Sequence, residues 1–404
     1  MAQKLKFGNG TWATKKGSTL AYNDENNNYK PLPFTTTRNS IATRVNKQGL
    51  IEVVGNDVPR IDYTDSTEGA LLLENSATNL ITYSEDLSVL SKVSTGTASS
   101  PSTTANYAIA PDGTMTATRV VFDLNGGTTI NDRSILRQSI STGSYYASIY
   151  VKSTNGTEQK VMWHDGSEFN ITTVTNEWKR ITYDTRDNIS YVGISLDGDA
   201  NLDVSDILVW GFQVENGNVA SSYIPTNGSS ATRQADTASG SGNSEVFNDS
   251  EGVLFANISA FVGAGGGTRR IEVSNSVNAS QYVRLQIANG DGSLYGTVDN
   301  GSRQFIFNAT SFDATLSNRI SLKYKQNDFS LFLNGFEVGS SNVGSTFANG
   351  VLTQVNFSST ASEFYGKTKE IAYYDTALTD AELEVLTSYE TLTELVTELN
   401  LNEL

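Results

Sequence analysis

Alternation of apolar and polar side chains is the sequence feature that most restricts the fold of this chain. It is clearest in residues 209–236, VWGFQVENGNVASSYIPTNGSSATRQAD, where Trp210, Phe212 and Val214 fall on one side of an extended backbone. A period of two with an aromatic-rich side is typical of a half-buried antiparallel strand. The Asn-Gly turn that follows, and Pro225, which has no N–H to donate, predict that the chain then runs along a sheet edge. The small polar residues after this stretch predict a linker between two domains.

Segments with the same alternation recur on both sides of this stretch, separated by turns rich in Gly, Asn and Asp. They are residues 117–122, 135–140, 145–152, 159–163, 178–183 and 191–196 before it, and 252–258, 270–274, 282–287, 294–298, 304–307, 320–324, 329–333 and 354–357 after it. Short strands with turn signals between them predict an all-β fold of two antiparallel β-sandwich or jelly-roll domains.

The length of 404 residues is enough for two or three domains. We expect an irregular N-terminal arm over 1–87, a first sandwich over 88–237, a linker over 238–244, a second sandwich over 245–388 and a short C-terminal amphipathic helix over 389–404. The arm carries little regular alternation but contains apolar patches. It either docks onto a partner or wraps its own neighbouring domain.

The end of the chain has helical signals. Thr379 and Glu382 have the capping-box spacing, which satisfies the first N–H groups of a helix reciprocally. The apolar residues that follow have four-three spacing and form a seam of Val385, Tyr389, Leu392, Val396 and Leu399. A seam of this kind needs a partner. It either lies on its own domain or joins copies of itself or another protein.

Charge and residue usage exclude several classes of function. The formal net charge of −16 disfavours nucleic acid, whose binding depends on Lys and Arg at the phosphates, and it disfavours anionic membrane surfaces. No apolar run approaches the length of about 20 residues that a membrane span needs, and the first residues lack the apolar core of a signal peptide. The absence of cysteine rules out disulfides, and one histidine leaves little basis for a zinc site.

We find no catalytic constellation in the sequence. A Ser-His-Asp mechanism would have to use His164, which comes at the end of a predicted strand, where histidine is ordinarily a loop residue. A glycosidase needs two carboxylates that face a sugar, and the Glu-x-Asp-x-x-Glu strand pattern of jelly-roll glycosidases does not occur. The sequence therefore predicts that the protein is not an enzyme, and it predicts no cofactor.

Calcium is the one metal that the sequence leaves open. The turns at Asp197-Gly198-Asp199 and Asn289-Gly290-Asp291-Gly292 carry hard oxygen ligands of the kind that Ca²⁺ prefers. Neither turn has the complete EF-hand pattern. Each either binds Ca²⁺ or is simply a turn.

Two parts of the chain resemble known families. The pattern WGxQxExGxxxSxYIPTxGxxxTRxAD in 210–236, with 60–63, 69–74 and 78–85 before it, resembles a carbohydrate-binding-like sandwich common in bacteriophage fibre and virion surface proteins. These matches cover roughly residues 1 to 236. Further along, RISLKY and SLFLNG over 319–335, and KEIAYYDTALTDAEL over 369–383, resemble the concanavalin A-like, laminin-G-type jelly roll.

The first resemblance implies a bacteriophage virion structural protein, as a fibre, decoration or tail-associated subunit. Such a protein is made in the cytoplasm of the host bacterium and displayed on the virion surface, where its partners are other virion proteins. The resemblance also implies a symmetric homo-oligomer, with a trimer favoured, and attachment to host-surface glycans. Two alternatives are a secreted bacterial carbohydrate-binding or adhesin module and a glycan-degrading tail enzyme. A purely architectural subunit fits the sequence equally well.

Both resemblances imply a sugar site on a sheet face or in loops, where aromatic rings meet C–H groups and polar side chains meet hydroxyls. The candidate binding residues are Tyr145, Trp163, Tyr282, Arg284 and Tyr295. Aromatic residues are also ordinary strand residues. Each candidate therefore either contacts a sugar or packs against its own sheet.

Overall fold

The computed structural model describes residues 4–23, 28–165, 171–185, 189–217, 219–262, 267–359 and 362–389. Strands dominate these residues, and they contain one α-helix, which confirms the predicted all-β class. No helix among them is both long and apolar enough to cross a membrane.

The strands are short and follow one another closely along the chain. Up to residue 79 they are β1 Leu5–Gly8, β2 Ala13–Lys15, β3 Ser18–Asn23, β4 Asn28–Thr37, β5 Ala42–Val45, β6 Ile51–Val54, β7 Arg60–Asp62, β8 Ala70–Leu73 and β9 Ala77–Asn79. Up to residue 233 they are β10 Ser91–Thr95, β11 Ser99–Ala108, β12 Ala117–Asp123, β13 Arg133–Gly143, β14 Tyr146–Ser153, β15 Gln159–His164, β16 Ile171–Val174, β17 Lys179–Asp184, β18 Ile189–Asp197, β19 Val204–Glu215 and β20 Ala231–Arg233. The remainder are β21 Thr237–Ser239, β22 Glu251–Ala260, β23 Arg269–Ser274, β24 Gln281–Ile287, β25 Leu294–Asn300, β26 Arg303–Ala309, β27 Asn318–Lys325, β28 Asp328–Leu333, β29 Phe336–Ser341, β30 Gln354–Asn356, β31 Ser358–Ser359, β32 Ser362–Glu363 and β33 Gly366–Tyr374, followed by the helix α1 Asp380–Thr387.

The chain divides into two compact units that are not contiguous in sequence. Unit 1 comprises Met1–Gly49, Val54–Asn75 and Gln234–Leu404, and unit 2 comprises Leu50–Val53 and Ser76–Arg233. The division differs from the predicted domain ranges, because most of the predicted arm belongs to the same unit as the second sandwich.

Unit 1 is a sandwich of a large and a small antiparallel sheet. The large sheet has the strand order β21-β4-β3-β1-β33-β22-β27-β28-β29, with β2, β7 and β8 joined at its side. The small sheet has the order β26-β25-β24-β23-β30. Alternate side chains from both sheets meet in one apolar core, which includes Phe7, Leu254, Val283 and Leu322.

Unit 2 is a second sandwich, of two five-stranded antiparallel sheets. One has the order β10-β13-β18-β15-β16 and the other β11-β12-β19-β14-β17. Its core contains Phe122, Ile149, Trp163 and Phe212, each almost fully buried. The strands predicted between 117 and 214 all occur, with ends shifted by a few residues at most.

The N-terminal residues are not an irregular arm but part of the large sheet of unit 1. Strand β1 pairs with β33 in the register Phe7↔Ile371, and Leu5 and Phe7 are 2% exposed. Strand β8 pairs with β33 on the same side, and all four of its residues are buried. Strand β1 was not predicted, because it has only four residues and pairs with residues more than 360 positions away.

The predicted linker over 238–244 also belongs to the fold. Thr237–Ser239 pairs with Thr35–Thr37 of β4, and Ser241 forms a bridge to Val355. Ala238 and Ser241 are almost fully buried. Small polar residues can pack against the edge of the large sheet here. The same composition is typical of linkers, so composition alone predicted a linker.

The helix α1 begins at the predicted capping box. The Thr379 side chain accepts a hydrogen bond from the Glu382 N–H, and the Glu382 side chain accepts one from the Thr379 backbone. Leu383 packs in a small cluster with Phe255 and Phe332 on the large sheet. Of the helix predicted over 389–404, residues 390–404 lie outside the described residues, as does the rest of its seam beyond Tyr389.

Candidate functional site

Three residues of the sequence pattern, Arg60, Glu74 and Asp236, form a buried charge network in unit 1 together with Arg38. The Arg60 guanidinium forms ion pairs with two carboxylates, that of Glu74 at 2.6 Å and that of Asp236. The Arg38 guanidinium also pairs with Asp236, at 3.0 Å. All four side chains are at most 4% exposed. The surrounding carboxylates raise the pKa of Arg60 although burial opposes this. The network therefore holds together three segments that are distant in the sequence, at residue 38, residues 60–74 and residue 236.

Other residues of the pattern, Asn79 and Gln213, hold the end of β19 in place in unit 2. The Asn79 side chain accepts from the Val214 N–H at 3.1 Å and donates to the Ile224 carbonyl at 2.9 Å. Gln213 accepts from the Ile224 N–H at 2.7 Å and donates to Glu215 at 3.0 Å. Every one of these groups is buried. Because buried polar groups need partners, the pattern is explained by folding rather than by ligand contact.

Gly211 has a similar structural explanation. It has φ +66° within β19, at the point where the register with β14 shifts. A Cβ at this position would lie 3.0 Å from the Tyr150 ring. Glycine is therefore required by the bulge, since other residues rarely adopt this backbone conformation.

Two of the five candidate binding residues lie in the core of unit 2. Trp163 is 1% exposed and stacks on Tyr183 with ring centroids 5.7 Å apart. Tyr145 is 5% exposed, and its hydroxyl donates to the Ser141 carbonyl at 2.8 Å. Their rings are not available to a sugar in this structure. Trp163 lies on β15 as predicted, whereas Tyr145 immediately precedes β14. Alternation could not decide which side of the sheet is buried.

The other three candidates share one face of the small sheet of unit 1. Tyr282 and Arg284 alternate along β24 with the core residues Val283 and Leu285, so they point away from the core. The Arg284 guanidinium lies 3.4 Å from the centroid of the Tyr282 ring and bonds to Glu272 at 2.6 Å. Both residues are less than 10% exposed, so most of their surface is not available to a ligand.

Tyr295 belongs to the accessible part of the same face. It is paired across the sheet with Gln286 on one side and Asn308 on the other, and Gln286 is paired with Arg270. Directly paired residues point to the same side of a sheet. Arg270, Gln286 and Tyr295 are half-buried and Asn308 is exposed. We call these four residues, one from each of β23 to β26, the polar row.

The polar row offers several kinds of contact within a short distance. Arg270 Nε donates to the side-chain Oε1 of Gln286 at 2.9 Å, which orients both side chains. Burial, and next the positive charge of Arg284, lower the pKa of Arg270 from its ordinary value. Among the described residues, the Tyr295 hydroxyl and the Asn308 amide have no hydrogen-bond partner. The row therefore combines a cation, amides and one aromatic ring that can meet a polar ligand.

Sequence reasoning found Tyr295 but missed Arg270, Gln286 and Asn308. The alternation Arg270-Ile271-Glu272-Val273 did predict a polar face for β23. What it lacked was the register between strands, which decides which polar residues stand side by side. That register depends on turn geometry and long-range pairing, which a single sequence does not display.

The predicted calcium turns use their oxygens locally. Asp197 accepts from the Asp199 N–H at 3.0 Å, and Asp291 accepts from the Ser293 N–H at 3.0 Å. The Asn289 side chain accepts from Arg269 at 3.2 Å. Within the described ranges, no three His, Asp or Glu side chains are grouped so that they could hold a metal ion.

The histidine lies in the interior of unit 2. His164 is 3% exposed, and its ring stacks on that of Tyr191 at 5.4 Å between centroids. Burial, and then the charges of Arg133 and Arg137, lower the pKa of His164 to about 4, although Asp165 opposes this. The imidazole is therefore neutral in the folded protein near neutral pH.

This lowered pKa predicts a loss of stability in mild acid. The unfolded chain binds a proton at His164 near its ordinary value of about 6.5, whereas the folded chain does not until about 4. The free energy of unfolding is therefore highest above the unfolded-state pKa of about 6.5. It falls by about 2 to 3 kcal/mol as the pH drops from there to the folded-state pKa of about 4. Urea unfolding at a series of pH values should show a flatter pH dependence for His164→Gln than for the wild type. Parallel curves for the two proteins across this window would contradict the assignment.

The sequence matches no family model and no curated protein. Similar solved structures include the CBM40 of an IT-sialidase from Ruminococcus gnavus, 18% identical over 37% of this chain and 94% of that chain, with a TM-score of 0.32. Domain 4 of AbnA, a GH43 extracellular arabinanase from Geobacillus stearothermophilus, is 13% identical over 42% of this chain and 82% of that chain, with a TM-score of 0.31. Domains LG4-5 of the mouse laminin alpha1 chain are 10% identical over 64% and 89%, with a TM-score of 0.25. Similarity at this level carries no argument about ligands, so the site rests on its own geometry.

Proposed function

We propose that the protein binds glycans without altering them and that the polar row of unit 1 is a contact surface. The observation that carries this proposal is the alignment of Arg270, Gln286, Tyr295 and Asn308 across four strands. Sugar hydroxyls both donate and accept hydrogen bonds, and sugar C–H groups pack on aromatic rings. Amide groups beside a tyrosine ring on a rigid sheet satisfy both requirements.

Binding without catalysis is the form of the proposal that the chemistry favours. The single histidine is buried and has a pKa of about 4, so near neutral pH it is already deprotonated but cannot reach a substrate. Glu272, two residues after Arg270 on β23, is 3% exposed and is bonded to Arg284. A carboxylate held in this way is poorly placed to donate or accept a proton at a sugar.

If the polar row binds the glycan, substitutions in the row should weaken glycan affinity while substitutions elsewhere on the surface should not. A glycan array of the intact protein would identify a ligand, and calorimetric titration would then measure the affinity of each variant. Tyr295→Ala and Asn308→Ala should each weaken binding about tenfold, equivalent to about 1.4 kcal/mol, because each removes a direct contact from a pre-formed surface. Tyr107→Ala, which removes a tyrosine of unit 2 that is 44% exposed, is the matched control and should bind like the wild type. Affinities of both row variants within twofold of the wild type would exclude the row as the site.

A more specific candidate places this activity on a bacteriophage virion, as a fibre, decoration or tail-associated subunit. The observation that favours it is the sequence pattern over 210–236 together with 60–85. In that setting, several copies in a symmetric oligomer, such as a trimer, would give avidity from weak single sites. A secreted bacterial carbohydrate-binding or adhesin module is the alternative setting for the same glycan binding. Antibody labelling of purified particles in the electron microscope should place the chain on their surface, and labelling confined to bacterial cells would favour the alternative.

A further inference from the structure

A cleft of about 310 Å³ lies on unit 1, on residues that the polar row does not use. Its floor is formed by neighbouring positions of the large sheet, where Ser259 of β22 is paired with Lys367 of β33. It is also lined by Asp62, Asp65 and Ser66 and by residues 315–317. This volume is at the lower end of the range of about 300 to 1,000 Å³ found for small-molecule sites.

The charged groups of the cleft are held in place from below. Lys367 bonds to Asp62 at 3.1 Å and also to Asp65. The Asp62 side chain is 5% exposed and accepts from the Val45 N–H at 2.9 Å, whereas the Asp65 side chain is 64% exposed. Burial opposes ionisation of Asp62, but the ammonium of Lys367 lowers its pKa overall. The cleft is thus lined by ions whose positions are set before any ligand arrives.

The chemistry of the lining selects a class of ligand. The charged residues of the lining are Asp62, Asp65, Lys367 and Lys369, so the charges cancel in a chain of net charge −16. The lining also contains hydroxyls, and that of Ser259 has no hydrogen-bond partner among the described residues. An ammonium donates only and a carboxylate accepts only, whereas a hydroxyl does both. A neutral compound with several hydroxyls can form hydrogen bonds with all of these groups. An anion would be repelled by the two aspartates, and a cation would be repelled by the two lysines.

We propose that this cleft binds one neutral hexose residue, separately from the polar row. The sugar hydroxyls bond to Lys367, Asp65 and Ser259, and Leu316 contacts the C–H groups. No aromatic ring is among the lining residues, so a single sugar binds weakly, with a dissociation constant in the millimolar range. The inference rests on the proposed glycan-binding function but on different residues, and the two can fail independently.

The test is ligand-observed NMR and calorimetric titration with D-glucose, D-galactose and D-mannose in turn. At least one of these sugars should bind the intact wild-type protein. Ser259→Ile fills the cleft with a residue that suits a strand, and it should abolish this binding. Asp65→Asn removes one acceptor at an exposed position and should weaken binding several-fold. The control Ser139→Ile, at an exposed strand position of unit 2, should bind like the wild type.

If Ser259→Ile does not fold, as judged by its melting curve, Asp65→Asn still tests the site because its exposed side chain contributes little to stability. Absence of binding by all three sugars, or unchanged binding by the cleft variants, would overturn the inference. If binding is lost only in Tyr295→Ala, the cleft is excluded while the proposed function stands. If glycan arrays and all three sugars are negative, both fail.

Discussion

Replacing Arg60 with methionine should lower the free energy of unfolding of unit 1 by about 3 to 5 kcal/mol, because it leaves buried carboxylates without their partner. Arg60 is fully buried and bonds to Glu74 and Asp236, and it also donates to the Thr43 carbonyl at 3.0 Å. Methionine has a similar length but no charge, so packing is largely kept while the ion pairs are lost. Since a domain is stable by only about 5 to 15 kcal/mol, the effect should be plain in urea unfolding.

A matched substitution separates burial from charge. Arg303 pairs with Asp299 at 3.4 Å, but its side chain is 50% exposed. Arg303→Met should therefore cost less than about 1 kcal/mol. Adding Glu74→Gln to Arg60→Met should recover part of the loss, since the unpaired carboxylate is then removed. If Arg60→Met and Arg303→Met have equal effects, the buried network does not hold unit 1 together.

Replacing Trp163 with alanine should destabilise unit 2 by about 3 to 5 kcal/mol, the usual cost of removing a buried aromatic side chain. The ring packs between Tyr183 and Phe212, with centroid distances of 5.7 and 6.2 Å. The cavity that remains cannot fully collapse, because residues of both sheets of the sandwich surround it. Urea unfolding followed by circular dichroism would measure the loss.

Trp178→Ala is the control for this prediction. Trp178 is a half-buried tryptophan of the same unit, and its indole N–H donates to the Ile109 carbonyl at 3.2 Å. We expect a cost of about 1 kcal/mol from its loss, since one hydrogen bond and part of a contact surface disappear. A stable Trp163→Ala protein that had lost glycan binding would show that Trp163 is a binding residue after all.

The sequence predicted the strands that alternate over five or more residues and the turns between them. In unit 1, for example, Asn334 and Gly335 have φ values of +50° and +87° and form the turn between β28 and β29, which is the conformation that an Asn-Gly pair favours in a hairpin. The α1 capping box was predicted for the same reason, because its signal lies within four residues. Features of this kind are local, and a sequence displays them directly.

The features that were missed depend on contacts between distant residues. Strand β1 gives no local sign that Leu5 lies opposite Tyr373, and Thr237–Ser239 resembles a linker until β4 lies beside it. The same limit applies to the candidate site. Alternation placed Trp163 and Tyr295 on strands equally well. Only the packing of the sheets within each unit determines that Trp163 faces the core of unit 2 and Tyr295 faces away from the core of unit 1.

We propose that the polar row of unit 1 holds a glycan that the protein leaves intact. Amide chemical-shift mapping of the intact protein, titrated with a glycan found on an array, tests it most directly, with mass spectrometry of the sugar at the end of the titration. We expect the largest shifts at and beside Arg270, Gln286, Tyr295 and Asn308, and a sugar of unchanged mass. Shifts confined to unit 2, or cleavage of the glycan, would contradict the account.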